Sequence, residues 1–183
     1  MLSKISRLSD RFIFYLKKNT LKGCKEKPLR LPLTIFIVGA FYATTAIGFG
    51  LSSGLFEIRI IQLELALKFL VTSFIFPSFL EEIVFRGMII PRDTVEQGIR
   101  NIFAYTLLSA ALFVLWHPLN ALTINPGGQA YFLDGRFLLI VFSLGITCSL
   151  SYIYSKSIWI PVTIHWLTVI VWVCFLGGRN LLL

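Results

Sequence analysis

The chain has 183 residues, of which 56% are hydrophobic and 14% charged, with a mean hydropathy of +0.80. Ordinary soluble domains carry about 25% charged residues, so this composition excludes them and specifies an integral membrane protein. The net charge of +8 does not describe a nucleic-acid surface, because nine of the 17 basic residues fall in the first 30 positions with only Asp10 and Glu26 opposing them.

Residues 1–30 therefore read as a basic cytoplasmic tail, carrying Lys4, Arg7, Arg11, Lys17, Lys18, Lys22, Lys25, Lys27 and Arg30. Within it Ile5, Leu8, Phe12 and Leu16 recur at helical spacing between basic residues, the pattern of a helix lying on anionic lipid; a solvated orientation signal fits the same charges. Residues 31–56 hold no charge, a run longer than the roughly 7–15 apolar residues of a cleaved signal peptide. That run is expected to be the first membrane helix.

Five membrane segments are predicted, at 33–55, 63–90, 101–116, 137–154 and 158–176, which makes 31–183 a transmembrane helical domain and the fold an all-α polytopic bundle. The second is too long for an upright span and is expected to bend at Pro77. Turn residues mark the connections: Pro91-Arg92-Asp93, Asn125-Pro126-Gly127-Gly128, Asp134-Gly135 and Ser155-Lys156-Ser157. With the tail in the cytoplasm, Arg92, Arg100 and Lys156 fall inside and Arg59, Arg136 and Arg179 outside, as the positive-inside rule requires. Cys24, Cys148 and Cys174 are far apart and lack a C-x-x-C pattern, so they imply neither a disulfide framework nor a zinc knuckle.

Charge then appears where lipid would exclude it. Glu81, Glu82 and Arg86 follow directly on the apolar run 69–79. An ionisable group at a helix centre costs roughly 2.5–3.5 kcal/mol on insertion scales, which makes such groups functional candidates by default. On a helix Glu82 and Arg86 share a face, while Glu81 is turned by about 100° from Glu82. Arg86 would then orient Glu82 and leave Glu81 free to take a proton from water; a salt-bridged helix end closed by Gly87 and Pro91 accounts for the bare E-E-x-x-x-R equally well.

The two histidines of the chain lie in other apolar segments. His117 follows Phe113 by four residues, so the two rings share a face, and Pro118 is expected to end the helix there; taken alone this His reads as an interfacial cap. His165 stands far from either end of the charge-free run 157–178 and is harder to explain as a cap. Counting from the predicted helix ends, Glu81 and His165 lie roughly 15 Å and 12 Å deep and His117 roughly 24 Å deep. Phe85, Trp116 and Trp166 read as lipid or packing contacts.

One carboxylate and two imidazoles support two chemistries. Glu81, His117 and His165 would supply the three protein ligands of a divalent metal such as zinc, with an open position for water. Without a metal, Glu81 would act as base and the imidazoles as donors to an oxyanion. Both remain open on the sequence. Neither H-E-x-x-H nor G-x-S-x-G is present, which excludes soluble zincin and serine-elbow hydrolase chemistry.

At these residues the chain resembles the CPBP family of intramembrane proteases, which includes type II CAAX prenyl endopeptidases and bacteriocin-processing or immunity proteins, also called the Abi domain. The family's E-E-x-x-x-R matches Glu81, Glu82 and Arg86; its F-x-x-x-H matches Phe113 and His117; its H-x-x-x-N is met only at His165, with Val169 in the place of the Asn. The resemblance places an Abi-like core at about 63–176 and implies a glutamate-dependent endopeptidase. Glu81 would activate water, Glu82 and Arg86 would support it, and His117 and His165 would be water or oxyanion partners. Its substrate would be a membrane-associated peptide or protein, lipidated or not, in contact with the bilayer and not a nucleic acid. The Val169 departure moves the missing amide's role to Asn120 or Thr168, or leaves a catalytically silent scaffold or immunity protein of the same fold. A proton or ion carrier using Glu81 and the histidines as a relay is a third class, but the first and fifth segments offer it few polar groups.

Overall fold

The computed structural model describes residues 10, 13–27 and 33–178. The lipid-surface helix expected around Ile5, Leu8 and Phe12, and the outer charge Arg179, lie outside the described residues. Five apolar helices carry the fold: α1 (Leu33–Ser52), α2 (Leu63–Met88), α3 (Ile99–Thr123), α4 (Gly135–Ser155) and α5 (Trp159–Phe175). The first four are long and apolar enough to cross a membrane, and α5 is a shorter apolar helix of 17 residues. Among the described residues there is no strand, only a parallel bridge between Arg59 and Leu176. The protein is a polytopic helical bundle.

Helix α4 is the centre. In its most apolar stretch 61% of residues are buried, against 17% in α1 and in α2. It packs on α3, α5 and α1, most extensively on α3, where Gly145 lies against Ala110. A Cβ on that glycine would lie 3.0 Å from the Cα of Ala110. Small residues at a membrane-helix crossing let the backbones approach and compensate for a hydrophobic drive that lipid removes. Asp134 caps α4 by accepting from the Arg136 backbone N–H at 2.8 Å, and the Arg136 side chain beside it holds its carboxyl down at about 2.

Helix α2 is broken where the sequence says it must be. Phe76 has φ −120° and ψ 119°, an extended conformation, because the residue before a proline is pushed out of the helical region. On either side of the short α-helical piece Leu80–Glu82 the chain winds with wider, i→i+5 turns, over Phe74–Phe79 and Ile83–Met88. Such expansions change which way successive side chains point and are frequent at functional sites.

Helix α3 departs from expectation. It does not stop at Trp116 but runs to Thr123 with Pro118 inside it. Proline removes one N–H, yet within a bundle neighbouring groups can satisfy the freed carbonyl, and no further breaker follows until Asn125-Pro126. His117 is therefore a mid-helix residue rather than a terminal cap.

The two ends of the bundle are chemically distinct. At one end the segment Lys17–Leu21 and Lys22–Lys25, expected to be tail, is docked on the end of α2, the start of α5 and the loops beside them. Thr20 Oγ1 donates to Gly87 O at 2.9 Å, Ser157 Oγ to Glu26 O at 2.9 Å and Trp159 Nε1 to Cys24 O at 2.9 Å. Arg92 pairs with Glu26 at 2.7 Å, and Lys156 pairs with Glu96. At the opposite end Arg136 Nη1 donates to Ser53 O at 2.8 Å, close to the Arg59–Leu176 bridge end of the bundle. Lys18 and Lys22 of the tail, Arg92 and Lys156 thus share one rim, while Arg59 and Arg136 belong to the other.

Candidate active site

Glu81 and Glu82 occupy the short helical piece of α2 between its two expanded turns, and they meet different surroundings. Glu82 is wholly buried, as is Arg86, and the two are joined at 3.0 Å between Oε1 and Nη1. Arg86 Nη2 donates to the Gly145 carbonyl at 3.1 Å, and the guanidinium sits over the Phe113 ring at 4.5 Å. Charged groups this far from water are tolerable only when paired and bonded. The carbonyl is reachable because Gly145 keeps α4 close. Around this pair Ser109 Oγ donates to Phe85 O at 2.8 Å and Ser149 Oγ to Ser109 Oγ at 3.1 Å, so α2, α3 and α4 are linked by one polar chain.

His165, on α5, completes the connection. Its Nδ1 is 2.9 Å from Glu82 Oε1, and a carboxylate can only accept, so that nitrogen carries the hydrogen. The ring's other nitrogen, Nε2, is then turned to Glu81, 3.9 Å from Oε2. Glu82 orients His165 as a second carboxylate orients a catalytic or metal-binding imidazole.

Glu81 has its two oxygens in unlike places. Oε1 accepts from the Trp116 indole N–H at 3.0 Å. Oε2 is buried without a hydrogen-bond partner among the described residues. The gap of 3.9 Å between it and His165 Nε2 is too long for a direct bond, the separation at which a bridging water has to be considered. Trp116, read from the sequence as a lipid or packing contact, is thus a donor to the candidate base. A tryptophan one residue before a candidate histidine carries no spacing signal, which is why sequence reasoning passed it over. Phe85 does pack, ring against Phe113 at 5.3 Å, and Trp166 donates to Leu70 O at 3.0 Å.

His117 lines the same cavity but stands apart from the carboxylates. Its Nδ1 donates to the Phe113 carbonyl at 2.9 Å, leaving Nε2 as the free nitrogen, and its ring meets Phe113 edge-on at 4.9 Å and Phe132 at 5.0 Å. Phe113 lies between the two imidazoles, 5.5 Å from His165. Asn120, three residues on from His117, has its amide oxygen buried without a partner among the described residues, and it lines the cavity, as do Thr168 and Val169. Thr168 spends its hydroxyl proton on Ile164 O at 2.8 Å.

The cavity has a volume of about 1240 Å³ and is bounded mainly by apolar and aromatic side chains from all five helices. Glu81, His117 and His165 all open onto it. The structure therefore brings Glu81, Glu82, Arg86 and His165 into one connected group and sets His117 on the wall of the same chamber. Among the described residues no three His, Cys, Asp or Glu side chains stand close enough to hold an ion. As they stand, Glu81, His117 and His165 do not fit a three-ligand metal site.

No curated protein and no solved structure matches the chain. The family model of the Rce1-like type II CAAX prenyl endopeptidases matches residues 63–171, the start of α2 to within α5, a span that contains Glu81, Glu82, Arg86, His117 and His165. The chain belongs to this Rce1-like family of proteases.

Proposed function

We propose that the protein is an intramembrane endopeptidase in which Glu81 is the general base. The observation that carries this reading is Glu81 Oε2, without a partner among the described residues, facing His165 Nε2 across 3.9 Å at the edge of a large apolar chamber. A buried acceptor without a partner has a desolvation cost that a water molecule relieves. Water held by Glu81 and His165 attacks the carbonyl carbon of a peptide bond as Glu81 takes its proton. The tetrahedral oxyanion is met by the Asn120 amide N–H, with His117 on the same wall. Collapse breaks the C–N bond, and the proton passes from Glu81 to the leaving nitrogen, which regenerates the carboxylate. Arg86 and Glu82 do not touch substrate; they fix the His165 ring.

The substrate is a membrane-tethered peptide or protein, and the apolar chamber suits a lipidated one of the kind the family's description names. The docked, basic end of the bundle faces the cytoplasm, which opens the site toward that half of the bilayer. The test is cleavage of a prenylated, membrane-anchored peptide by the purified full-length protein, beside Glu81→Gln and with and without chelator. Cleavage by the wild type but not by the variant supports the reading, and a variant that cleaves as well as the wild type overturns it. A chelator-sensitive wild type would show that Glu81 and the histidines rearrange around an ion. Val169, which lines the chamber where the family motif carries Asn, favours one rival, a silent scaffold; that reading expects no cleavage by either protein.

A further inference from the structure

Glu81 has two chemically equivalent oxygens on a torsion that is broad and nearly two-fold, so nothing within the residue decides which oxygen faces the substrate. The surroundings decide it. The Trp116 indole, a donor that cannot accept, holds Oε1 at 3.0 Å, and Oε2 is left toward His165 Nε2. The four tryptophans of the chain show how unusual this is. Trp159 and Trp166 donate to backbone carbonyls, of Cys24 and Leu70, and Trp172 Nε1 has no partner among the described residues. An indole anchoring a helix at the membrane surface would turn its N–H toward the headgroups. Trp116 turns it inward to the carboxylate, while its ring forms part of the chamber wall.

We infer that Trp116 is a positioning residue: it pins one oxygen of Glu81, so that the other is the oxygen presented to water and to His165. Trp116 and His117 are consecutive residues of α3, so one turn of that helix sets both the orientation of the base and the second imidazole. The same bond keeps Oε1 occupied through the reaction, so the proton taken from water resides on Oε2, on the side from which the leaving nitrogen must collect it. The indole body and the indole N–H make separable contributions. Phenylalanine keeps an aromatic ring on the wall while removing the donor and part of the indole's area.

The inference rests on Glu81 being the base, and the two fail differently. Glu81→Gln that still cleaves sinks the base and this inference with it. With that variant inactive, Trp116→Phe tests the positioning role alone, in full-length protein on the same anchored peptide. Loss of one hydrogen bond to a charged group should lower kcat by about 10- to 100-fold with KM unchanged, while the thermal midpoint falls only slightly. A kcat equal to wild type, or a loss shared by KM and the thermal midpoint, overturns it, since a merely structural tryptophan would give the latter. A second measurement does not depend on that variant folding: the Trp116 indole N–H resonance in labelled protein. It should move upfield in Glu81→Ala relative to wild type, and an unmoved resonance overturns the inference.

Discussion

Helix α2 carries the same sequence device twice, with opposite consequences. Glu64 and Lys68 are four residues apart and meet at 2.8 Å; Glu82 and Arg86 are four residues apart and meet at 3.0 Å. The first pair has side chains 82% and 71% exposed, and the second pair is fully buried. An exposed pair of this spacing stabilises a helix by about 0.3–0.5 kcal/mol and is screened by salt. Breaking a buried one strands a charge and costs about 3–5 kcal/mol. Spacing alone is therefore a poor guide to role. What separates the pairs is α4, whose Gly145 carbonyl, together with His165 from α5, meets one of them and not the other.

The sharpest way to break the comparison is at the neighbouring carboxylate. Glu81→Gln should reduce kcat by about 100- to 10,000-fold while leaving the unfolding midpoint in detergent near wild type, because Glu81 supports chemistry and Glu82 supports structure. Arg86→Ala should instead lower stability by about 3–5 kcal/mol in denaturant titrations, since it leaves the Glu82 carboxylate buried without its cation, with only the His165 N–H beside it. A loss below about 1 kcal/mol would show that the pair is not sequestered. Gly145→Val should cost about 1–3 kcal/mol by forcing α4 away from Ala110 and lengthening the Arg86 bond to the 145 carbonyl; unfolding midpoints of the two variants combined should not add.

Smaller effects belong to the rim. Thr20→Val removes the bond to the Gly87 carbonyl and should cost about 1 kcal/mol, read as faster amide exchange in residues 17–27 with the core unaffected. Lys68→Ala should change stability by less than about 0.5 kcal/mol, and raising salt should erase even that. Should Lys68→Ala rival Arg86→Ala, the contrast between the two pairs fails.

Much of this was legible before any coordinates. Long apolar runs located all five helices to within a few residues at most ends, because lipid leaves a chain few options but a helix. The bend at Pro77 followed from proline's effect on its predecessor, and the spacing of Glu82, Arg86, Phe113 and His117 put the right groups on shared faces. Where reasoning by local rules erred, a neighbour overrode them. Pro118 was expected to stop α3 and did not, because the rest of the bundle supports the helix beyond it. Residues 17–26 read from the sequence as part of a basic cytoplasmic tail and are docked, because their partners, Gly87, Arg92 and Ser157, are remote in sequence.

The sequence by itself determined the membrane location, the helix count and which titratable side chains had to be hidden from lipid, since hydropathy and charge are local properties that each residue carries with it. Only the tertiary structure decided which carboxylate is sealed and which is left open. That depends on Trp116 from α3, the Gly145 carbonyl from α4 and His165 from α5 arriving on opposite sides of two adjacent glutamates, and contacts across helices have no period that a linear chain can display.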